Sequence, residues 1–388
     1  MYTIKQIPED FHVKERMRLQ LQPDGLYAFA VLTKKRWSTP DALTALAKAC
    51  DLPRERFKAA GMKDRDGISE QYISCEGLTK EQVEGIQIRD LSLKFVGYGN
   101  HHIGLAQHEA NEFRIVVRNL TVPLHPLTWL CNYYDDQRFG GVRPNTHLIG
   151  EALLRREFEK AVYILLAEQY PSEPKGYAPV RKQLARKWGK WFLSDIPNVL
   201  RTERVVVKHL LDNPGDFQGA FWEIQRQIST LYIHAFQSYL FNEILAEYIE
   251  KAGKEAWSEG ITGKLPLVDK ELPVKIPLVG YDYDPQKDPV ADITQEVLVR
   301  HGIAPGAFDF QELPFLSSRT IYRPATIPIK AKVSEPKKDT LNPEKLTQSV
   351  SFDLPKGSYA TFVIDSMFWL SQKKKPKKGE KMEDKSPL

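Results

Sequence analysis

The sequence predicts an α+β protein in which strand-rich segments lie towards both ends of the chain and helices lie between them. Strand patterns occur near the start, a helical period begins at about Leu148, and proline, glycine and β-branched residues return later. A chain of 388 residues with 42% apolar residues can form two or three domains with buried cores. The strand-rich segments are 1–36, 68–74, 91–98, 112–119, 264–283 and 314–363.

The start of the chain predicts two strands followed by a helix. Phe11 and Val13 alternate with polar neighbours, and the run LYAFAVLTKK is apolar on both faces, as in a buried strand. Thr39 and Pro40 then predict an N-cap and a first-turn proline. The helix should pack on the sheet through residues at helical spacing: Leu43, Leu46, Ala47 and Cys50.

The segment 112–119 predicts a half-buried strand. Phe113, Ile115 and Val117 point to one side because side chains alternate along a strand. Arg114 and Arg118 point to the other side, so we expect both arginines to face outward.

The middle of the chain predicts helices. The stretch from Ile228 to Ile249 carries apolar and aromatic side chains on nearly every side, which predicts a helix enclosed by its neighbours. An earlier group should share one helical face: Leu154, Phe158, Ala161 and Leu165.

The last part of the chain predicts further strands and then a tail. Tyr359, Thr361 and Val363 alternate, so the sheet should be completed from both chain ends. The segment 373–388 is rich in lysine, poor in apolar residues and contains two prolines, which predicts disorder.

The charge of the chain is unevenly distributed. The net charge is +5, and the lysine-rich tail carries +4 of it, so any phosphate binding by the body needs a local excess of cations. Between Glu173 and Lys208 nine basic residues face three acidic ones, with Trp188, Trp191 and Phe192 among them. This stretch predicts either an RNA-binding surface with stacking aromatics or a solvated helix face whose tryptophans belong to the core.

Several classes of protein are disfavoured. No apolar run is long enough for a membrane span, and the first residues lack the apolar stretch of a signal peptide. The three cysteines form no CxxC pair and are odd in number, so we expect a reduced, cytoplasmic protein. His101, His102 and His108 are close in sequence, and a polar loop is the favoured interpretation over a metal site.

The segment Phe57–Ser74, FKAAGMKDRDGISEQYIS, carries the main candidate for chemistry. Gly61 permits unusual backbone angles, Asp66 with Gly67 is a turn pair, and between them Asp64 is flanked by cationic neighbours. Cations beside a carboxylate favour the charged form that a nucleophile needs. On the residues alone, a solvated surface loop is the alternative.

The same segment resembles the signature of the TruD family of pseudouridine synthases, in which Gly-x-Lys-Asp precedes a strand containing Gln. The match consists of Gly61, Lys63, Asp64 and Gln71. Five further motifs resemble the family's in the same order: PEDFHVKE near the start, NEFRIVVRNL, NYYDDQRFG, AFQSYLFNEIL and LPKGSYAT. Two positions depart from the pattern, because Tyr134 stands where the family has Phe and Ala110 where it has Gly.

The resemblance implies a pseudouridine synthase-type catalytic domain with a central mixed, mainly antiparallel sheet. The catalytic domain would comprise residues 1–149 and 316–372. A helix-rich α/β insertion, the TRUD domain, would comprise residues 150–315, and RNA would bind between the two domains.

The resemblance also implies the roles of single residues. Asp64 would be the nucleophile or would remove a ribose proton, and these two routes stay open. Tyr134 and Tyr359 would hold the uracil ring, and Asn132 would orient Asp64 or the base. Further residues would shape the substrate site: Phe11, Lys14, Glu15, Lys63, Gln137 and Arg138. Arg319 and Arg323 are weaker candidates, because an arginine pair beside a strand is more often a surface ion-pair partner.

The expected activity is isomerisation of a uridine in RNA, with uridine 13 of tRNA as the first candidate and other RNAs as further ones. The reaction needs no cofactor and no metal, and the sequence points to no obligate protein partner. Two alternatives stay open: a noncatalytic RNA-binding protein, and a glycosidase-like hydrolase. The hydrolase would need a second carboxylate from Glu15, Asp135 or Asp136.

Overall fold

The computed structural model describes residues 2–104, 107 and 109–373. The chain divides into two units. The first contains residues up to Leu130 and from Pro328 onward, and the second runs from Cys131 to Ile327. The family domains expected at 1–149, 316–372 and 150–315 are a different division and stay a prediction. The lysine-rich residues 374–388 lie outside the described part.

The described strands and helices follow one another in a mixed order that confirms the α+β class. In chain order the strands are β1 (Phe11–Arg16), β2 (Tyr27–Lys35), β3 (Phe57–Ala59), β4 (Ile68–Glu76), β5 (Leu91–Gly99), β6 (Ala110–Leu120), β7 (Trp129–Cys131), β8 (Ala256–Gly260), β9 (Gly263–Leu267), β10 (Lys275–Leu278), β11 (Ile321–Pro324), β12 (Thr326–Pro328), β13 (Lys332–Val333), β14 (Lys337–Lys338) and β15 (Leu346–Pro355). The helices are α1 (Thr39–Ala49), α2 (Lys80–Gly85), α3 (Thr146–Leu154), α4 (Phe158–Leu166), α5 (Ala178–Arg186), α6 (Arg201–Asp212), α7 (Ala220–Glu223), α8 (Arg226–Ala252), α9 (Ala291–His301) and α10 (Ala360–Lys373).

The first unit is built on one sheet of nine described strands. Its order is β13-β15-β6-β1-β4-β2-β5, with β14 paired to β15 and β3 paired to β4. β1 and β4 run parallel, and the other described pairs are antiparallel. This arrangement confirms the predicted mixed, mainly antiparallel sheet.

Helix α1 covers part of one face of this sheet. Leu43 and Leu46 pack with Ala30 and Ile73 in an apolar core. The predicted N-cap was wrong by one residue, because Ser38, not Thr39, accepts the hydrogen bond from the amide of Asp41. Thr39 is the first residue of the helix, so its hydroxyl is free to serve another element.

Arg118 corrects the prediction for the strand β6. Arg114 is exposed as expected, whereas Arg118 is buried. Its guanidinium donates to the carboxylates of Asp10 and Asp339, and both carboxylates are buried. Burial opposes the charge of Asp339, but hydrogen bonds from Asn119 and other neighbours outweigh it and lower its pKa to about 2.

The alternation of Tyr359, Thr361 and Val363 did not predict their structure. Ala360 begins the helix α10, so this part of the chain is helical and not a strand. Val363 and Phe362 are buried together with other apolar residues of the same helix. Alternation over these three positions therefore also fits a helix that buries residues on more than one side.

The second unit is arranged around α8, a helix of 27 residues. Its buried side chains lie on several sides, which confirms the predicted enclosed helix. The prediction that Leu154 and Leu165 share one helical face was wrong, because they belong to different helices. α3 ends at Leu154, α4 begins at Phe158, and Arg156 between them has a positive φ of 59°. Two strand pairs complete this unit, β8 with β9 and β10 with β11.

The basic stretch from Glu173 to Lys208 is partly core. Arg181 is 1% exposed and donates to the carboxylates of Glu173 and Glu203. Trp191 is buried, whereas Phe192 is 62% exposed. Arg181 therefore cannot be part of a phosphate-binding surface. None of the helices in the described ranges has the length and hydropathy needed to cross a membrane.

Candidate active site

The predicted nucleophile lies in the loop 60–67, which links β3 to β4. The side chain of Asp64 is 45% exposed, and its Oδ2 accepts a hydrogen bond of 2.7 Å from Nζ of Lys5. The same Nζ lies 4.2 Å from the ring centre of Phe11. Phe11 is buried, so the ring supports the lysine while the carboxylate stays accessible.

Gly67 closes the loop against β1. Its φ is +145°, and a Cβ atom would lie 2.7 Å from the backbone oxygen of Phe11. Any other residue would force the two strands apart, which explains the glycine of the predicted Asp-Gly turn.

The loop lies above a face of the sheet that carries buried polar side chains. The strand register places Val13, Ser69 and Lys34 in one row. Two residues further along the same strand, and therefore on the same face, Gln71 pairs with Leu32 of β2. Polar groups buried in a sheet require hydrogen-bond partners, and here the loop supplies many of them.

Lys63 joins the loop to two strands. Its Nζ lies 3.1 Å from Oε1 of Glu15 and donates to Oδ1 of Asn111 at 2.6 Å. The other carboxylate oxygen of Glu15 accepts a hydrogen bond from the amide of Tyr72. The side chains of Lys63 and Glu15 are 8% and 0% exposed. Both were predicted to bind substrate, and in this structure they form a buried ion pair beneath Asp64.

Gln71 and Thr39 hold the first half of the loop. The amide nitrogen of Gln71 donates to the backbone oxygen of Gly61. The hydroxyl of Thr39 donates to Gln71 and accepts from the backbone amide of Lys63. The glutamine of the motif therefore fixes the loop and does not point to solvent.

Lys34 holds the second half of the loop. Its Nζ donates to the backbone oxygens of Asp64 at 2.7 Å, Trp37 at 2.7 Å and Lys63 at 3.3 Å. Burial lowers the pKa of Lys34 to about 8, although the Asp64 carboxylate acts in the opposite direction.

Two other predicted residues of this unit are Lys14, which lies outside the polar layer, and Tyr359. Lys14 is exposed and pairs in register with Glu70 and Glu112, so it projects from the opposite face of the sheet. Tyr359 is partly buried and precedes α10, where its backbone oxygen accepts from the amide of Val363. The structure thus joins Asp64 with Phe11, Glu15 and Lys63 but does not join Lys14 to them.

In the second unit, Asn132 is buried and holds β11. Its side-chain amide donates to the backbone oxygen of Pro324 at 2.9 Å. Its side-chain and backbone oxygens both accept hydrogen bonds from the guanidinium of Arg323. Arg323 was only a weak candidate from sequence, and here it is tied to Asn132 by two hydrogen bonds.

Hydrogen bonds fix the backbone of Tyr134, and cationic and aromatic side chains contact its ring. The side chain of Asn242, on α8, accepts from the amide of Tyr134 and donates to its oxygen, each at 2.8 Å. The guanidinium of Arg323 lies 4.5 Å from the ring centre and that of Arg138 lies 5.4 Å from it. The ring of Phe241 packs against it edge to face.

The rest of the segment is attached to the same helix. Arg138 donates to the hydroxyl of Ser238, and Gln137 is exposed. Gly140 has a φ of +113°, and a Cβ atom there would lie 2.1 Å from the backbone oxygen of Arg143. The Gln-Ser-x-Leu-Phe-Asn pattern on α8 therefore acts as the support of the segment 132–140.

Metal binding has no support in the described residues, where no group of three His, Cys, Asp or Glu side chains could hold an ion. His102 instead lies 2.9 Å from the hydroxyl of Ser74, through Nδ1. His101 is exposed, and His108 lies outside the described residues.

Sequence reasoning missed Lys5, Lys34 and Asn242. Lys5 and Lys34 match no charge or periodicity pattern. The role of each lysine depends on its contact with the loop 60–67, which is distant in sequence. Asn242 lies inside a recognised motif, and its role could have been suspected from an amide on an otherwise apolar helix.

Comparisons with known proteins identify the family that the chain resembles. A family model described as tRNA pseudouridine synthase D (TruD) matches residues 2–265 and 263–367. A relative from Aquifex aeolicus, named tRNA pseudouridine synthase D, is 30% identical over 94% of this chain and 97% of its own. A Methanosarcina barkeri relative, named "Probable tRNA pseudouridine synthase D", is 31% identical over 93% of this chain and 92% of its own.

A solved structure is also similar. The crystal structure of a Methanosarcina mazei protein with the TruD name superimposes with a TM-score of 0.74 at 28% identity. The match covers 94% of this chain and 93% of that one. The sheet and the helix-rich unit therefore have a counterpart in a solved fold.

Proposed function

Because this chain belongs to the TruD family of tRNA pseudouridine synthases, we propose that it isomerises uridine 13 of tRNA, with Asp64 as the nucleophile. The chain is a tRNA pseudouridine synthase, an isomerase. The position in tRNA and the role of Asp64 are the proposed parts. The observation that supports the role of Asp64 is its accessible carboxylate, which is fixed above a buried polar layer.

The reaction breaks the bond between C1′ of the ribose and N1 of uracil and forms a bond between C1′ and C5. In the proposed route a carboxylate oxygen of Asp64 attacks C1′, and the electron pair of the broken bond goes to uracil. The base turns, C5 attacks C1′, and Asp64 leaves. C5 then loses its proton and N1 gains one, so the product is an isomer of the substrate.

Lys5 has a defined part in this route. Since its ammonium binds Oδ2 of Asp64, we assign the attack to Oδ1. The ion pair orients the carboxylate before the attack. When the ester forms, the carboxylate loses its charge, so the attraction to Lys5 is strongest in the resting enzyme and helps Asp64 to leave again.

The second unit supplies the proposed binding surface for the base. The guanidinium groups of Arg323 and Arg138 lie 4.5 Å and 5.4 Å from the ring centre of Tyr134. We assign this aromatic and cationic group to binding of the flat uracil. The side-chain amide of Asn132 is already bound to Pro324 and Arg323, so we assign it the task of holding Arg323. Tyr359 is retained as a base-binding residue on the family resemblance alone.

The test uses unmodified tRNA transcripts and maps pseudouridine by carbodiimide reactivity. We expect Asp64→Asn to lower the rate by at least about 10³-fold, since the neutral amide is a poor nucleophile. The matched control is Asp66→Asn, in the same loop, which should keep near wild-type activity. Pseudouridine formed by Asp64→Asn at a rate close to that of the wild type would refute the assignment of the nucleophile.

The same experiment tests the substrate. A transcript with cytidine at position 13 should give no product, whereas product at another uridine would overturn the proposed position. Release of free uracil in place of pseudouridine would favour a hydrolase. RNA binding without any product from the wild type would favour a noncatalytic protein.

The exposed part of the basic stretch is the proposed RNA contact of the second unit. Arg186 and Lys190 are exposed, unlike Arg181. We expect Arg186→Glu with Lys190→Glu to weaken tRNA binding and to reduce its salt dependence by about one ion per lost phosphate contact. The matched control reverses the exposed Lys264 and Lys275. Equal binding by both double variants would remove the stretch from the interface.

A further inference from the structure

Lys34 is a charged side chain in a place where charge is costly. It is 1% exposed and lies on β2, a strand that is paired on both sides, with β4 and β5. An ammonium group has three N–H donors, and Lys34 donates to the backbone oxygens of Trp37, Lys63 and Asp64. These three acceptors match its hydrogen-bonding capacity, which explains how the fold tolerates the buried cation.

The contacts of Lys34 converge on the loop that carries Asp64. Two of its three acceptors belong to successive residues of that loop, Lys63 and Asp64. The third belongs to Trp37, just before α1. One side chain thus ties the backbone of Asp64 to β2 and to the start of a helix, which are both rigid elements.

The charged surroundings of Lys34 come from the loop. The carboxylate of Asp64 favours its charged form and the ammonium of Lys63 opposes it. The neighbouring strands place Ser69 of β4 and Leu91 of β5 beside it in register, and neither carries a charge.

We propose that Lys34, in its charged form, is a positioning residue that fixes the backbone of Asp64 for attack on the ribose. The proposal rests on Asp64 being the nucleophile. Lys34 does not touch the substrate in this role, because its side chain is buried beneath the loop. A neutral amine has only two N–H donors, so loss of the proton removes one of the three hydrogen bonds that hold the loop.

The charge of Lys34 is lost in an accessible range of pH. Burial lowers its pKa to about 8, and the nearby Asp64 only partly offsets this effect. The rate of the chemical step, kcat, should therefore fall as the pH rises through about 8, whereas KM should change little. A misplaced nucleophile affects the chemical step more than the binding of a large RNA.

The contribution of Lys34 to stability should rise with pH, in contrast to kcat. The pKa of Lys34 is lower in the folded protein than in the unfolded chain, where a lysine has a pKa of about 10.4. Between these two values the unfolded chain binds more protons, so the contribution of this site to the free energy of unfolding rises with pH. A fall in kcat over the same range cannot then be explained by unfolding at this site.

The experiment measures kcat and KM of the full chain on tRNA between pH 6.5 and 9. Lys34→Met should lower kcat by about 10- to 100-fold at pH 7, keep KM within about threefold and remove the fall in kcat near pH 8. Lys35→Met is the matched control, because Lys35 is the next residue and forms a partly exposed ion pair with Glu9. It should match the wild type at each pH.

Three outcomes would overturn the proposal: wild-type kcat in Lys34→Met, a fall in kcat near pH 8 that persists in that variant, or a wild-type kcat that is flat to pH 9. The last measurement needs no variant, so it applies even if Lys34→Met does not fold. Asp64→Asn, measured in parallel, separates the two proposals. An active Asp64→Asn refutes the nucleophile, whereas an inactive Asp64→Asn with a normal Lys34→Met refutes only the role of Lys34.

Discussion

The loop 60–67 in the first unit and the segment 132–140 in the second are held in different ways. Charged side chains bind the loop from beneath, with Lys34 on its backbone oxygens and Lys63 paired to Glu15. Neutral side chains of one helix hold the segment, with Asn242 on the backbone of Tyr134 and Ser238 on Arg138.

The comparison shows that buried charges support the loop of Asp64, whereas neutral hydrogen bonds support the segment of Tyr134. Buried charges hold the loop strongly only while each partner keeps its protonation state, so the loop should depend on pH and on each member of the pair. The amide of Asn242 has no charge to lose, so the position of Tyr134 should be independent of pH. The following variants test this contrast from the largest expected effect to the smallest.

Removing the cation from the buried pair should have the largest effect. Lys63→Met leaves the carboxylate of Glu15 without this lysine, and breaking a buried pair costs about 3–5 kcal/mol of unfolding free energy. Urea unfolding measures the loss. The control is Lys58→Met, an exposed lysine on β3, which should change stability by less than about 0.5 kcal/mol.

A second variant separates the ion pair from substrate binding. Glu15→Gln combined with Lys63→Met removes both charges and should recover much of the lost stability. If Lys63→Met instead raises KM and leaves stability unchanged, Lys63 binds substrate and the contrast between the two regions fails.

Asn242→Leu should have an intermediate effect. The buried leucine leaves the amide and the oxygen of Tyr134 without these hydrogen bonds, which costs about 2–3 kcal/mol of unfolding free energy. The loss should be the same at pH 6 and pH 9, unlike the effects at Lys34. Gln227→Leu, exposed on the same helix, is the control. A loss that varies with pH would contradict the assignment of a neutral support.

His301 provides the smallest effect and a pH-sensitive reference within the second unit. Hydrogen bonding to Glu151 and Glu243 raises its pKa to about 9. Because this value lies above that of an unfolded histidine, the stabilisation is complete below about pH 6.5 and is lost as the pH rises through about 9.

His301→Gln should therefore lower the unfolding free energy by about 1–2 kcal/mol at pH 6 and by almost nothing at pH 10. Urea unfolding at both pH values gives the comparison, and His125→Gln, with an exposed histidine, is the control. A loss that is larger at pH 10 would reverse the sign of the linkage and rule out the ion pair as its cause.

Much of the fold followed from local patterns. The strands β1, β2, β4, β5 and β6 and the helix α8 lie where periodicity predicted them. The predictions failed where one pattern fits two structures, as for Tyr359 to Val363, or where a turn such as that at Arg156 interrupts a period. For the site, the motifs identified Asp64, the segment 132–140 and several side chains that hold them, such as Gln71 and Lys63, but not Lys5 or Lys34.

The sequence by itself determined which residues can do the chemistry and which faces of strands and helices are apolar. Only the tertiary structure decided the fate of the charges: Arg118 was predicted to face outward, yet it binds Asp10 and Asp339, 108 and 221 residues away. The physical reason is range. Periodicity reports the geometry of neighbouring residues, whereas the free energy of a buried charge depends on partners that only the completed fold brings within hydrogen-bonding distance.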